Sequence, residues 1–326
     1  MPRPLSRGLA PLSLALLFGT IALADHGPGT SGGGVSTLSG ETMKQGKWSI
    51  SFAIDATFFD DVSDEDAFAR AARSGDHFDA LDRSYLTSIA FGYGITDDVQ
   101  IAASIGYYTA DGARIYDPGS GEEGAAAEEA ETFDPDGLTD LWIDLKWRFY
   151  HGPAGSFALV AGVKAPTGKS DVTNSGGEGV EPASTAGSGA WDGRIGVAHS
   201  RFLSKRVTLD ASLAYTARTR HDDFKLGDRV DAGVAIAFRL TGDAKSFPQA
   251  SVFGELYARH LARSEEGSET TGNSGGTTLF VSPGVRFGFS RAVALTLSSQ
   301  VPVSQDLHGE QLETSYKLSA AVSFTF

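Results

Sequence analysis

The chain has 326 residues, 41% hydrophobic and 10% aromatic, with 40 Gly, no Cys and a formal net charge of −14. So acidic a balance argues against nucleic-acid binding, which needs a basic footprint, and without cysteine neither a disulfide framework nor a lipidated anchor is available. Mean hydropathy is −0.13 and no apolar run after residue 24 approaches the roughly 20 residues of a membrane helix, but alternating barrel strands average to the same neutral value.

In chain order, the first element is an export signal. Arg3 and Arg7 make a basic start, Leu9 to Ala22 is apolar, and Ala22-Leu23-Ala24 offers a small-x-small cleavage site, so residues 1–24 read as a secretory signal peptide. Removing its two arginines takes the net charge from −14 to −16. Residues 25–46 are a Gly-rich leader, expected to be mobile or to act as a plug.

Residues 47–326 settle into period-two alternation. Trp48, Ile50, Phe52, Ile54, Ala56 and Phe58 share one face of the first run, and Tyr316, Leu318, Ala320, Val322, Phe324 and Phe326 share one face of the last. Such runs occur at about 47–59, 84–95, 98–109, 138–150, 155–165, 190–202, 206–218, 227–240, 247–260, 277–289, 292–303 and 312–326. Their length suits tilted strands crossing a bilayer. Connections after odd-numbered runs are mostly long and those after even-numbered runs short. All long loops therefore fall at one end and both termini at the other. The expected fold is all-β, a transmembrane up-and-down antiparallel barrel of about twelve strands.

Outward-facing aromatics should then gather at two interfaces. Trp48, Tyr93, Trp147, Phe149, Phe238, Phe287, Phe289, Phe324 and Phe326 fall near the short turns, and Phe58, Tyr85, Tyr107, Tyr215 and Tyr316 near the long loops. The middle positions read as aliphatic or Ala. A secreted β-sandwich would explain alternation, but not the long-short rhythm or the two girdles.

Parity turns a mixed set of charges inward. Asp55, Asp144, Lys146, Arg148, Lys164, Asp192, Arg194 and Asp210 come from the first half of the barrel, and Arg218, Asp231, Arg239, Glu255, Arg259, Arg286 and Lys317 from the second. Arg or Lys facing lipid at mid-bilayer would cost about 2–4 kcal/mol. Such a lining suits a water-filled pore, or else a network of ion pairs that fills and stiffens a narrow lumen. The slight excess of basic residues points to a preference for anionic or polar aromatic solutes. Two stretches carry much of the acid: Asp60, Asp61, Asp64, Glu65 and Asp66, then Glu122, Glu123, Glu128, Glu129, Glu131, Asp134 and Asp136. These read as solvated loops.

Catalytic and metal signatures are weak. A lipase-type site needs His and Ser on one face. Ser200 adjoins His199 but points the other way, and His151 is placed in a turn, so only cross-strand pairs stay open. His221-Asp222-Asp223, with His26, His77 and His308 elsewhere, lacks the spacing of a known metal site. No cofactor and no metal are expected.

Several stretches resemble a large family of outer-membrane channels, often called the phenol meta-cleavage-pathway type transporter family. They are Gly137-Leu-Thr-Asp-Leu-Trp-Ile-Asp-Leu-Lys-Trp-Arg-Phe149, Gly162-Val-Lys-Ala-Pro-Thr-Gly-Lys169, Gly187-Ser-Gly-Ala-Trp-Asp192 and Ser282-Pro-Gly-Val-Arg-Phe287. Val301-Pro-Val-Ser-Gln-Asp-Leu-His-Gly-Glu-Gln-Leu312 is similar as well, and the leader stretch Gly32-Gly-Gly-Val-Ser-Thr-Leu-Ser39 resembles one branch. Ser304 departs from the pattern, standing where an aromatic is expected. The resemblance implies a barrel with a transport role and no catalytic residues. It marks Pro302, Gln305, Asp306, Gly309 and Gln311 as a shaped outer loop, unless they serve loop folding only.

The expected function is passive passage of small polar or aromatic solutes across the outer membrane of a Gram-negative cell. A non-conducting structural or surface-interaction barrel is the alternative, and a membrane-embedded hydrolase a third. Expected partners are outer-membrane lipid and lipopolysaccharide, the barrel-assembly machinery through the C-terminal Phe326, and a small-molecule solute.

Overall fold

The computed structural model describes residues 34–118, 130–241 and 247–326. The signal peptide, leader residues 25–33, His26, and Glu122, Glu123, Glu128 and Glu129 lie outside the described residues. Twelve antiparallel strands close on themselves. They are β1 (Trp48–Phe59), β2 (Arg83–Gly94), β3 (Val99–Asp111), β4 (Leu141–Gly152), β5 (Gly155–Ala165) and β6 (Asp192–Phe202). The circuit continues with β7 (Val207–Arg218), β8 (Arg229–Arg239), β9 (Gln249–Leu261), β10 (Gly276–Gly288), β11 (Val293–Leu307) and β12 (Thr314–Thr325). Each pairs with its chain neighbours, and β1 joins β12 from Ser49↔Thr325 to Phe58↔Tyr316. Closure gives every strand two partners, so the sheet keeps no unpaired edge within hydrocarbon.

Parity holds in the solid. In β4, Asp144, Lys146 and Arg148 are buried, while Ile143, Leu145 and Trp147 are 39%, 46% and 50% exposed and face lipid. Girdle rings meet across strands: Trp48 and Tyr93 lie 4.3 Å apart at the short-turn end, and Phe58 stacks on Tyr316 at 4.6 Å at the other. Against expectation, the middle is not purely aliphatic. Phe52 also faces lipid, its ring 6.5 Å from Phe324, so the lower girdle runs deeper than parity alone placed it.

Three short turns share one design. Thr96, Ser204 and Ser290 accept hydrogen bonds from the amides two residues on, at 3.2, 3.1 and 3.1 Å, while the preceding residues Ile95, Leu203 and Phe289 donate to Val99, Val207 and Val293 carbonyls. Hydroxyl side chains are suited to this role because they satisfy the turn's own amides.

The long loops are not simply solvated. Helix α1 (Asp64–Ser74) is capped by Ser63, whose hydroxyl accepts from the Asp66 amide, and it ends at Gly75 in the left-handed region, φ 70°. Asp64, Glu65 and Asp66 occupy its first turn, where negative charge offsets the helix dipole. One small sheet joins 78–80, 114–116 and 131–132, and another joins 220–221, 224–225, 265–266 and 269–270. Ala67, Ala71, Phe78, Leu81, Tyr116 and Leu312 pack into a separate apolar core. The long loops thus build a cap.

His77 ties this cap together. Its Nδ1 lies 3.2 Å from Asp76, and its Nε2 lies 3.8 Å from Asp79 and 3.9 Å from Glu181 of the third long loop. Ser184 donates to Asp79 at 2.8 Å, and Asn273 of the fifth long loop reaches Asp76 at 3.5 Å. Burial alone would lower the imidazole pKa, but the Asp76 hydrogen bond and the Asp79 and Glu181 charges raise it to about 9. A folded-state pKa above the ordinary value of about 6.5 gives stability that is full below that value and lost as pH climbs through the raised one. Digestion of the reconstituted protein by a broad-specificity protease, normalised to the denatured chain, should therefore be several-fold faster at pH 10 than at pH 7. H77Q should be cut at the fast rate at both.

Candidate functional site

The site is the lumen, and the leader fills it. Residues 34–46 run down the barrel interior to the short-turn end, where Gln45 donates to Asp97 at 2.9 Å and Gly46 to the Gly94 carbonyl at 2.8 Å. In the upper stretch, successive amides of Val35, Ser36 and Thr37 converge on the Glu255 carboxylate at 3.2, 3.0 and 2.5 Å, and the Thr37 hydroxyl adds a bond of 2.6 Å. Gly34 also presses on Glu255, within 2.2 Å of where a Cβ would stand, so a side chain there would displace the carboxylate.

Further down, Leu38 donates to Ser212 at 3.0 Å, Gly40 to Ser200 at 2.7 Å, and Met43 to Gln100 at 2.8 Å. Lys146 donates to the Ser39 carbonyl at 2.8 Å, and Gln300 to the Ser36 hydroxyl at 2.8 Å. These bonds answer the main-chain groups of a segment with no regular structure, which buried backbone requires. Of the two leader readings, residues 34–46 fit the plug. The hydroxyl run Ser36-Thr37-x-Ser39 and inward Glu255 were visible in sequence, but nothing in the alternation paired them.

The inward charges form ion pairs around this plug. Arg194 donates to Asp144 at 2.6 Å, and its guanidinium lies 4.6 Å from the Trp142 ring. Lys164 bridges Asp192 at 2.7 Å and Asp140 at 3.0 Å. Asp231 is 2.7 Å from Arg229 and 3.0 Å from Arg259. Arg148 holds Asp98 at 2.7 Å in the first short turn and Glu41 at 3.5 Å in the leader. Asp55 accepts from Ser319 and Asp210 from Ser200. Arg286 donates to Thr296 at 3.1 Å, and Lys317 lies 5.2 Å from the Phe280 ring. Arg218 turns inward at the top of β7. Arg239 stands at the lower rim, donating to the Lys205 carbonyl at 3.0 Å. Arg229, Gln100 and Tyr257 join this lining although charge parity did not single them out.

The proposed outer loop divides. Pro302, Gln305 and Asp306 are strand residues, because β11 continues to Leu307 and a bulge opposite Leu279/Phe280 absorbs the irregularity around Pro302. Only Gly309, with φ 69°, and Gln311 lie in the loop proper. Gln311 donates to the Gly275 and His308 carbonyls at 2.8 and 2.6 Å, and Gln305 donates to the Thr314 carbonyl at 3.1 Å. These contacts shape the backbone.

His151 is in β4, not in a turn, since a bulge between Arg148 and Tyr150 lets the strand run on to Gly152. It sits opposite Ser156, with Nδ1 2.7 Å from that hydroxyl. Ser156 donates to Glu41 of the leader at 2.9 Å. A hydroxyl has one proton, so with it on Glu41 the imidazole must donate, the reverse of a general base. Among the described residues no group of three His, Asp or Glu is placed to hold a metal ion.

Residues 113–318 match the family described as "Putative MetA-pathway of phenol degradation". An outer-membrane channel from Pseudomonas putida F1 is 14% identical over 88% of this chain and 97% of its own, with a TM-score of 0.61. The β domain of the Bordetella autotransporter BrkA is 10% identical over 87% of this chain and 100% of its own, TM-score 0.45. The translocator domain of NalP from Neisseria meningitidis is 11% identical over 87% and 90%, also at 0.45. No curated protein matches the sequence.

Glu255 is the strongest single anchor of the leader. Truncating it in E255A removes an acceptor used by three amides and a hydroxyl, a loss of about 3 kcal/mol, or roughly a hundredfold in the ratio of seated to released leader. Planar-bilayer recordings should show E255A in a high-conductance state far more often than the parent.

Proposed function

The chain belongs to the family described as "Putative MetA-pathway of phenol degradation", and from that premise we propose that it is a channel-like transporter of the Gram-negative outer membrane, passing small polar or aromatic solutes passively. One observation carries this reading. The polar lumen is occupied by leader residues 34–46, not by side chains of the barrel alone. A leader held by hydrogen bonds and ion pairs leaves without breaking the barrel, and what remains is a closed cylinder with a charged inner wall. The excess of basic side chains on that wall supports a preference for anionic solutes.

No catalytic role is assigned. Ser156, which His151 contacts, is 1% exposed and gives its proton to Glu41 of the leader. Outward aromatics at both rims support contact with lipid and lipopolysaccharide, and the exposed terminal Phe326 supports recognition by the barrel-assembly machinery.

The occupied lumen and the self-supporting cap also favour a second reading, a barrel that conducts nothing and serves as a surface structure. Liposome swelling with solutes of graded size and charge separates the two. E255A vesicles should swell several-fold faster than parent vesicles in small solutes, and faster for anions than for cations of equal size. If parent and E255A vesicles both swell no faster than protein-free ones, the transport reading fails and the structural one stands.

A further inference from the structure

Four inward side chains stand together just under the cap. Strand register puts Arg194 of β6 beside Thr216 of β7, and Thr216 beside Arg229 of β8. Arg218 follows Thr216 by two residues, so it shares the same face one step higher.

Their bonding is incomplete. Arg194 uses Nε on Asp144, and Arg229 sets Nε against Asp231, but no described acceptor takes a hydrogen bond from their terminal N–H groups. Arg218 makes no ion pair among the described residues, since Asp192 opposite it is engaged by Lys164. Thr216 is 2% exposed and its hydroxyl has no hydrogen-bond partner. A buried hydroxyl left unpaired costs about 1–3 kcal/mol, and an unpaired guanidinium more.

The local charge is also out of balance. Lys164, Arg194, Arg229 and Arg259 pair with Asp140, Asp144, Asp192 and Asp231, four cations to four carboxylates. Arg218 stands beside them as a fifth cation, while Asp228, which accepts from the Arg218 amide, is shared with Lys225. A purely structural network would pair its charges. This one leaves a positive charge over, and it falls at Arg218.

Arg194, Thr216 and Arg229 line a cavity the size of a single water molecule, together with Leu38, Val160 and Ala214 and with the Asp231 carboxylate that Arg229 and Arg259 hold, while Arg218 stands one step above it. We propose that Arg194, Thr216, Arg218 and Arg229 form an anion-binding subsite, a station for the carboxylate of a small organic anion on its way through the lumen. This deepens the channel reading and rests on it for the route. Guanidinium forks match a carboxylate's two oxygens, the Thr216 hydroxyl supplies a further donor, and the apolar wall suits the carbon end. Leu38 of the leader forms part of that wall and leaves room for one water, so the smallest carboxylate enters as the Leu38 side chain yields. A larger one enters as the leader leaves.

Formate is the matching probe. With the intact chain in detergent, the 13C-formate resonance should broaden saturably. R218Q should weaken that binding about tenfold, and T216V, which removes the hydroxyl at nearly constant volume, about fivefold. R239Q, at the rim, should leave it unchanged. The subsite is refuted if the parent does not broaden formate saturably, or if T216V and R218Q both bind it as the parent does. The measurement needs no conduction. Saturable formate binding by a barrel that passes no solute would sink the channel reading and keep the subsite, whereas solute flux without formate binding would do the reverse.

Discussion

Backbone polar groups in hydrocarbon have no water to turn to, and each unsatisfied one costs several kcal/mol. Everything else in this molecule follows from meeting that demand with strands. The pairing of β1 with β12 removes the last open edge. Once the sheet is closed, period-two geometry gives each strand a lipid side and a lumen side. Ile143, Leu145 and Trp147 can then face lipid only if Asp144, Lys146 and Arg148 face each other's company inside.

An interior of that kind has its own demand. Charges held away from water must be paired and hydrogen-bonded, or the desolvation penalty dominates. Many of the barrel's charges meet this by pairing with one another: Asp144 with Arg194 two strands away, Lys164 with Asp192 on the next strand, and Asp231 with Arg229 on its own strand and Arg259 on the next. Glu255 and Lys146 also reach into the leader, the carboxylate accepting from its amides and the Thr37 hydroxyl and the ammonium donating to the Ser39 carbonyl. Barrel and leader are therefore mutually dependent: the leader's backbone is satisfied by the wall, and two buried charges of the wall bond to the leader. A solute that replaces the leader must offer comparable partners. Polar and anionic molecules fit that requirement better than neutral hydrocarbons do.

The strands were legible in the sequence because alternation is a local signal repeated over eleven or more residues, as in β5 and β8. The aromatic rims were legible for the same reason. Misreadings gather where the period slips. The bulge before Tyr150 carries β4 past His151, and the bulge beside Phe280 carries β11 through Pro302 to Leu307, which moved Gln305 and Asp306 from the loop into the sheet. Helix α1 was masked by its own acidic start. Asp64, Glu65 and Asp66 look like solvated charge until Ser63 is recognised as their cap. The cap's small sheets, the His77 hub and the seat of the leader are contacts between residues far apart in the chain. Periodicity carries no information about those. Arg229 was missed although it shares parity with Asp231, because it begins its strand at a boundary where face assignment is weakest.

The seat of residues 34–46 inside the closed cylinder is the point on which the functional reading turns. The Ser39 and Ser200 hydroxyls lie 3.0 Å apart, one on the leader and one on β6, and the chain has no Cys of its own. Replacing both in S39C/S200C puts two thiols within easy reach of disulfide geometry. On mild oxidation in isolated outer membranes, this pair should cross-link nearly completely and shift mobility on a non-reducing gel, while either single variant should not. If the double variant stays reduced and its residue 39 thiol reacts with a bulky maleimide as fast as in unfolded protein, the leader does not occupy the lumen.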